Sequence, residues 1–588
     1  MSHPVFSEAL FNARARTLAM ATGVLLSLYG LWALLGHTWV AAFEPEGLAP
    51  NGWRPFIFPD AAVIGGLMLC GAAMAGDHPR PWKVPFGIYA GAAAGFVIVA
   101  NGYFLGVTDS TIWPWPDSAS YVSYNACRVP GYFLFLWPFM GLAPHWLIAT
   151  QLNLLVLAKV AISAAVYRVT GSAAAGALAL LLGMIIDPTL AFSFNVLTEA
   201  PFDAALGFAA ATALAYVASP RPHYAAAAGL SVAAATAVKA VAPVLILAIA
   251  PLLLRPAARR GLNATLLIGI PVAALLALTL SGRLLNGAWS PTNFSGYALV
   301  GHVAWGIKSD ALSSDRELSK SLEDNLRPVI SAWPPITDLP SYVRRTSDDL
   351  NPMLSSIIIP TVVKRLEAKS PTQSPDSGAK LICTRQLNSA LMNLSEEAVR
   401  RYPARYAAHV LAHFEELWVL AFEPIRWQQL AVEIKSTYEP FNWVRATLPV
   451  PWQASPATLR QIEAGLVDYD RIHLAIDHVI PVPSRPWHVI FLALGLIAVA
   501  LTFFSIQIAR LSREMAALAM LSSIINADFL GQAMFQPAIP RYAAAVEIPL
   551  TGFLAIALFV TANAVFRLLR RALGYQHGPA PAAVPPVS

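Results

Sequence analysis

A stretch of 24 residues, from Asp109 to Tyr132, carries the side chains best suited to chemistry. It contains two carboxylates, Asp109 and Asp117, the guanidinium of Arg128 and several Tyr and Trp rings, and it directly follows an apolar run. Such groups, gathered where hydrocarbon meets water, suit chemistry on a molecule that is part lipid and part polar. We therefore predict that the active site lies in this segment.

The composition predicts that membrane-spanning helices position this segment. Apolar residues make up 56% of the 588-residue chain and charged residues only 13%. Four runs come near the roughly 20 apolar residues that a spanning helix requires, namely 17–36, 84–106, 262–280 and 487–509. Shorter or less apolar runs lie at 61–76, 146–167, 172–187, 201–218, 224–239, 241–254, 514–531 and 546–566. The sequence thus predicts an all-α polytopic membrane protein with about twelve transmembrane helices.

The basic residues predict which loops face the cytoplasm, because Lys and Arg gather in cytoplasmic loops. The cations that fall on one side of the predicted spans are Arg14, Arg16, Arg80, Lys83, Arg168, Arg221, Arg255, Arg259, Arg260, Arg510, Arg513, Arg567, Arg570 and Arg571. Most acidic loop residues fall on the opposite side, and both termini are predicted to be cytoplasmic. The net charge of +6 then reflects cations beside anionic lipid and predicts no nucleic-acid partner.

The apolar runs stop between residues 281 and 486, which predicts a soluble, mainly helical domain of about 200 residues on the outer side. It separates an N-terminal bundle, 1–280, with outer loops at 108–145 and 187–200, from C-terminal transmembrane helices at 487–571 and a disordered cytoplasmic tail at 572–588. Within the domain, Asn393 begins a predicted helix that Pro403 should kink. Cys127 and Cys383 both fall on the outer side, where an oxidising compartment would permit a disulfide.

Three short motifs resemble those of one enzyme family. Asp117-Ser-Ala-Ser-Tyr121, followed by Arg128-Val-Pro-Gly-Tyr132, resembles the first outer loop of the membrane glycosyltransferases that use polyprenyl-phosphate sugars, the GT-C superfamily. The segment from Asp187 to Thr198-Glu199 is similar to the second outer loop of that family, and Arg541-Tyr542 is similar to an Arg-Tyr pair before a late span. The resemblance covers residues 84–280 and, loosely, 487–566. It implies a GT-C-like bundle in a bacterial inner membrane, with the active site on the periplasmic face.

The resemblance implies transfer of a sugar from a polyprenyl-phosphate donor to a glycan, lipid or protein acceptor, and the residue types support this chemistry. A sugar hydroxyl is a poor nucleophile at neutral pH, so a carboxylate must take its proton as the new bond forms. We expect Asp117 to be this base and the reaction to invert the anomeric carbon. Asp109 could instead act as the base, assist it or hold a metal, and Glu199 could contact a metal or the acceptor, or cap its helix.

The departing lipid phosphate needs fixed cations, because negative charge grows on it as the glycosidic bond breaks. Arg128, Lys239 and Arg541 are the expected phosphate-binding residues, although Lys239 could simply extend towards the headgroups. Tyr121, Tyr132 and Tyr542 are expected to contact the substrate, although aromatic residues also collect at membrane interfaces for solvation reasons alone.

Metal and cofactor requirements stay open at this point. No cofactor is predicted with certainty, a divalent metal is a candidate, and its ligands are unknown because the acids show no tight ligand spacing. His409 and His413 lie four residues apart but lack the Glu that follows the first His of a zinc-protease helix. The alternative function is a transporter or flippase of an amphipathic lipid or lipid-linked sugar, and a third is a non-catalytic assembly protein or receptor.

Overall fold

The computed structural model describes residues 117–123, 125–185, 192–193, 195–304, 315–332, 342–343, 346, 353–369, 383–421, 448–449, 452, 485–536 and 538–572. Within these ranges the chain is helical and forms no strand. The helices of the first half are α1 Ser118–Val122, α2 Pro130–Leu136, α3 Pro144–Thr170, α4 Ala173–Ile185, α5 Glu199–Ala218, α6 Pro222–Val238, α7 Val244–Ile249 and α8 Arg260–Asn286. Those of the second half are α9 Ser295–Val303, α10 Arg316–Ser331, α11 Ile359–Lys369, α12 Arg385–Arg401, α13 Pro403–Leu420, α14 Arg485–Phe504, α15 Arg513–Phe535 and α16 Glu547–Ala572.

Five helices of the described residues are long and apolar enough to cross a membrane. They lie at Trp146–Thr170, Glu199–Ala218, Arg260–Asn286, Arg513–Phe535 and Arg541–Arg570. The predicted spans at 172–187, 241–254 and 487–509 contain shorter apolar helices, and the one at 224–239 is α6. The predicted spans at 17–36, 61–76 and 84–106 lie outside the described residues. The described residues are therefore helical, and their five long apolar helices suggest a multi-pass membrane protein.

Helix α5 occupies the centre of the bundle and α8 its periphery. Of the most apolar stretch of α5, 89% is buried, against 11% for α8. Ala recurs along α5, and such small side chains let α3 and α6 approach it closely. The exposed leucines of α8, such as Leu276 and Leu284, instead suit a lipid-facing surface. The ends of α6 and α15 and the starts of α5 and α16 lie together, and we call this the site end of the bundle.

The inserted segment has a core of its own, built from α9 to α12 and centred on Leu322, Leu387 and Leu391. Helix α13 joins this segment to the bundle. The Tyr406 hydroxyl donates to the backbone carbonyl of Met534 (2.8 Å), and the Trp418 indole packs within the bundle core. The inserted segment is thus fixed to the end of α15.

The predicted helix start at Asn393 and the predicted kink at Pro403 both differ from the structure. Helix α12 begins at Arg385, where the Thr384 side chain accepts from the Leu387 amide, and it includes Asn393 in its interior. At Pro403 the chain does not kink within one helix but starts a new one, because a Pro has no amide proton and is favoured in the first turn.

Candidate functional site

The two predicted outer loops are held together by polar contacts that are buried or nearly so. The Ser118 hydroxyl at the start of α1 donates to the Val196 carbonyl, just before α5, at 3.2 Å. The Tyr132 hydroxyl of α2 donates to the Gln151 side chain of α3 (3.2 Å), whose amide in turn donates to the carbonyl of Ser193 (2.8 Å). Helices α1 and α2 are therefore positioned against the entrance to α5.

Gly131 brings the first loop against the end of α6. A Cβ atom at this position would lie 2.1 Å from the Ala237 carbonyl oxygen, closer than any non-bonded pair can approach. Only glycine allows this contact between α2 and α6. As a result Arg128, three residues before Gly131, and Lys239, two residues after Ala237, belong to one region.

Two carboxylates and three cations form a single cluster at the site end. Asp117 is paired with Arg128, and Arg541 Nη2 lies 3.8 Å from Asp117 Oδ2. Arg541 Nε also lies 3.4 Å from Glu199 Oε1, and Lys239 Nζ lies 3.9 Å from that same oxygen. Arg541 thus bridges the two acids, and Arg128 and Lys239 flank it.

Aromatic rings surround the cations. The Arg128 guanidinium lies 4.6 Å from the centre of the Tyr121 ring, and Lys239 Nζ lies 4.8 Å from that of Tyr542. Tyr121 packs edge-on against Tyr132 with 5.0 Å between ring centres. Cation–π contacts favour a charged guanidinium or ammonium, so these rings help to keep positive charge in a region shielded from water.

The two acidic side chains of the cluster differ in their exposure to solvent. The Asp117 side chain is 32% exposed, whereas that of Glu199 is 3% exposed. Burial would raise the pKa of Asp117, but the nearby charges of Arg128 and Arg541 outweigh it and hold this pKa below its ordinary value. Asp117 is therefore ionised at neutral pH and open to a substrate.

Glu199 does not cap its helix. It is the first residue of α5, and the N-cap residue Thr198 makes no side-chain capping bond. Its carboxylate points instead to the cations, with Thr198 Oγ1 donating to it at 3.4 Å. Of the three readings that the sequence leaves open for Glu199, capping is the one that this geometry contradicts.

The predicted site residues that the structure describes lie together. They are Asp117, Tyr121, Arg128, Tyr132, Glu199, Lys239, Arg541 and Tyr542. Asp109 lies outside the described residues. Sequence reasoning missed Phe202, whose ring centre lies 4.7 Å from Lys239 Nζ. Its position three residues after Glu199, on the same helix face, is the signal that could have identified it.

Cys127 and Cys383 form a disulfide with a Cα–Cα distance of 5.1 Å, the pairing that the sequence leaves open. It joins the first loop, one residue before Arg128, to the start of α12. The Asn293 side-chain amide donates to the Cys383 carbonyl (3.1 Å), and the Asn293 backbone N–H donates to the Ala126 carbonyl (2.8 Å). The inserted segment thus anchors the loop that carries Asp117 and Arg128.

Replacing both Cys127 and Cys383 by Ser is expected to lower the stability of the inserted segment by about 2 to 5 kcal/mol, because the open chain gains conformational freedom. Thermal unfolding followed by tryptophan fluorescence measures the loss. Replacing Cys70, which is not part of this bond, by Ser is the control. An unchanged midpoint in the double variant would contradict the anchoring role.

Three buried histidines, His302, His409 and His413, place ring nitrogens within 4.8 Å of one another, close enough to hold a metal. Their hydrogen bonds assign another role. The Ala538 amide donates to His413 Nδ1 (2.9 Å), so in the neutral ring the proton sits on Nε2, which lies 2.9 Å from Thr346 Oγ1. Both nitrogens of His413 are therefore used, and a metal could bind there only by breaking one of these bonds.

The other two histidines continue the network. His302 Nδ1 lies 2.8 Å from His409 Nε2, and the Tyr342 hydroxyl lies 3.0 Å from His409 Nδ1. The His302 ring also bonds the backbone of Gln536. These bonds link the inserted segment to Gln536 and Ala538, shortly before Arg541. The network accommodates neutral rings, since a second proton on His413 would face the Ala538 amide, which is itself a donor.

Acidification below pH 6.5 is expected to destabilise this network. Burial lowers the pKa of His302 to about 3 and that of His413 to about 4, from an ordinary 6.5. Between pH 6.5 and these values the unfolded chain binds protons that the folded chain does not, so stability falls as pH falls, by up to about 1.4 kcal/mol per pH unit for each ring. Thermal unfolding between pH 7.5 and 5 measures this slope.

The test variant for this pH dependence is His302→Gln/His413→Gln. The control is His223→Gln, which changes an exposed ring. The double variant should be less stable at pH 7.5 and should show a shallower pH dependence. An identical slope in the double variant and the wild-type chain would refute the assignment of neutral rings.

The arrangement at the site end can bind an anion through Arg128, Arg541 and Lys239 and can accept a proton at Asp117. Two acids near these cations prevent a large net positive charge, so an anionic ligand must displace an existing ion pair to bind. Such a site suits a ligand that carries both a phosphate and hydroxyl groups. Compared with known protein families, with curated proteins and with solved structures, the chain gives no match.

Proposed function

We propose that the chain is a membrane glycosyltransferase that moves a sugar from a polyprenyl-phosphate donor to a cell-envelope acceptor. The observation that carries the proposal is the cluster in which Arg541 bridges Asp117 and Glu199 while Arg128 and Lys239 flank it. This cluster combines an accessible base with several phosphate-binding cations at the end of a helical bundle. The proposal includes about twelve spans and a site on the periplasmic face of a bacterial inner membrane.

In the proposed reaction the acceptor hydroxyl attacks the anomeric carbon of the donor sugar. Its proton passes to Asp117 as the new carbon–oxygen bond forms, and the bond between the sugar and the phosphate oxygen breaks with its electrons remaining on the phosphate. Arg128 and Arg541 stabilise the charge that develops on this phosphate. Attack and departure occur on opposite faces of the sugar, so the anomeric configuration inverts.

Glu199 holds Arg541 in place in this proposal. It is buried, it contacts Arg541 and Lys239, and it is less accessible to a substrate than Asp117. A carboxylate that orients a guanidinium keeps the phosphate site ready before the donor arrives. Asp109 stays an alternative base, and the acceptor is a lipid-linked glycan, a cell-wall polymer or a protein.

The test is transfer from a panel of radiolabelled polyprenyl-phosphate sugars to candidate acceptors by the purified full-length chain in lipid nanodiscs. Wild-type protein should transfer label from one donor, and Asp117→Asn should not. The matched control is Glu396→Gln, which changes an exposed carboxylate of α12 and should leave transfer intact. Consumption of no donor by the wild-type protein would count against the proposal.

The second candidate is a transporter or flippase of a lipid-linked sugar, which one observation favours. Lys159 and Glu547 form a fully buried ion pair of 3.0 Å between α3 and α16, and ionisable groups within a bundle are common in transporters. Movement of a fluorescent polyprenyl-phosphate sugar across proteoliposomes, without hydrolysis or transfer, would support this candidate. Transfer without movement would exclude it.

A further inference from the structure

A second group of polar side chains lies on the bundle side of the cluster. Asp203 follows Glu199 by four residues on α5, so both lie on one helix face about 6 Å apart along the axis. Asp528 and Gln532 are likewise four residues apart on α15, which packs against α5. Lys239, at the end of α6, attracts both aspartates. We call Asp203, Asp528 and Gln532 the floor of the site.

The floor is buried, but most of its hydrogen-bonding capacity is unused. Asp203, Asp528 and Gln532 are 0% exposed. Both carboxylate oxygens of Asp203 and the Lys239 ammonium have no hydrogen-bond partner, and the Asp528 and Gln532 side chains face each other without a well-formed hydrogen bond. Buried polar groups in folded proteins are nearly always paired, since an unpaired one costs about 1 to 3 kcal/mol. Several unpaired groups in one place indicate a site that a ligand completes.

The types of these groups define the ligand. The two carboxyl groups accept hydrogen bonds, and each can donate one when it carries a proton, whereas Gln532 both donates and accepts. A phosphate is disfavoured here because two acidic groups, Asp203 and Asp528, already lie beside the Lys239 ammonium. A metal ion is disfavoured by the Lys239 ammonium among the same groups. A neutral group with several hydroxyls at fixed positions fits, because each hydroxyl can donate to a carboxylate and accept from Lys239 or Gln532.

We propose that Asp203, Asp528 and Gln532 bind the hydroxyl groups of the donor sugar while Arg128 and Arg541 bind its phosphate. The inference rests on the proposed function, and it adds the residues that recognise the sugar. Hydrogen bonds between sugar hydroxyls and buried carboxyl groups are directional, so the floor selects which sugar is accepted. A site that pairs its polar groups only with the right ligand rejects an analogue that leaves them unpaired.

The test compares lipids with and without a sugar. The probes are undecaprenyl phosphate and undecaprenyl phosphates that carry glucose, mannose or arabinose, each titrated against the full-length chain in nanodiscs by native mass spectrometry. The wild-type chain should bind one sugar-bearing lipid at least tenfold more tightly than undecaprenyl phosphate. Asp203→Asn/Asp528→Asn should lose this preference and keep its affinity for undecaprenyl phosphate, because Arg128 and Arg541 are unchanged.

Matched variants separate the inference from the proposed function. Arg541→Gln should weaken binding of every probe, and Glu396→Gln should weaken none. Three results would overturn the inference: a preference retained by the double variant, a parallel loss of undecaprenyl phosphate binding in that variant, or a wild-type chain with no preference. Failure of the wild-type chain to bind any polyprenyl phosphate would overturn the proposed function as well.

Discussion

Asp117→Asn is expected to lower the turnover number of sugar transfer by about 10² to 10⁴, the range that general-base catalysis contributes. The amide keeps the size of the side chain and one oxygen that can accept from Arg128, but it cannot take a proton. Donor binding should be kept or tightened, because Arg128 and Arg541 lose a competing negative charge. Single-turnover transfer and donor titration measure the two effects separately.

The pH dependence distinguishes a base from a merely structural carboxylate. Because the two guanidiniums hold the pKa of Asp117 below its ordinary 3.8, the base is ionised throughout the neutral range. The wild-type rate should therefore stay flat as pH falls from 8 to 5 and decline only as the pH passes through this lowered pKa. Asp117→Asn should lower the turnover number and should also remove this decline of the rate at acidic pH. If Asp117→Asn instead lost donor affinity and turnover equally and kept the decline of the rate at acidic pH, Asp117 would be a positioning residue and Asp109 would remain the candidate base.

Three residues of the cluster were predictable from sequence because each sits where an apolar run ends. Lys239 follows α6 directly, Glu199 opens α5, and Arg541 precedes the apolar run of α16. The charge pattern of the loops places these ends on one side of the predicted membrane. Co-location at one end therefore follows from helix length and loop charge alone.

The pairings within the cluster were not predictable in this way. Which acid contacts which cation depends on how closely the helices approach, and that depends on details such as the missing side chain of Gly131. The third histidine shows the same limit. His409 and His413 are visible as a pair on one helix, but His302 lies 107 residues away from His409 on α9. No periodic pattern connects residues so far apart in the chain.

The floor residues illustrate a different limit. Asp528 lies within the predicted span at 514–531, Gln532 directly follows that span, and Asp203 lies within the predicted span at 201–218. A polar residue in an apolar run signals function but not its partner. Only the packing of α5 against α15 shows that the two helices turn these residues towards the same place.

The buried pair of Lys159 and Glu547 is expected to have the largest effect on stability. Lys159 Nζ donates to Glu547 Oε1 at 3.0 Å and to the Gly183 carbonyl at 2.6 Å, and both charged side chains are almost completely buried. Lys159→Met would leave the Glu547 carboxylate without its countercharge in the bundle interior. The expected loss is about 3 to 5 kcal/mol in the free energy of unfolding, measured by denaturant titration in mixed micelles.

The double variant Lys159→Met/Glu547→Leu decides whether the pair itself stabilises the bundle. Removing both charges also removes the cost of burying them, so an apolar pair of similar volume should recover most of the loss. Lys320→Met, at an exposed position of α10, is the control and should change stability little. Since Asp203 also experiences the charge of Glu547, the double variant should leave sugar transfer measurable if the pair serves the fold. A stable double variant that no longer transfers sugar would instead tie the pair to function.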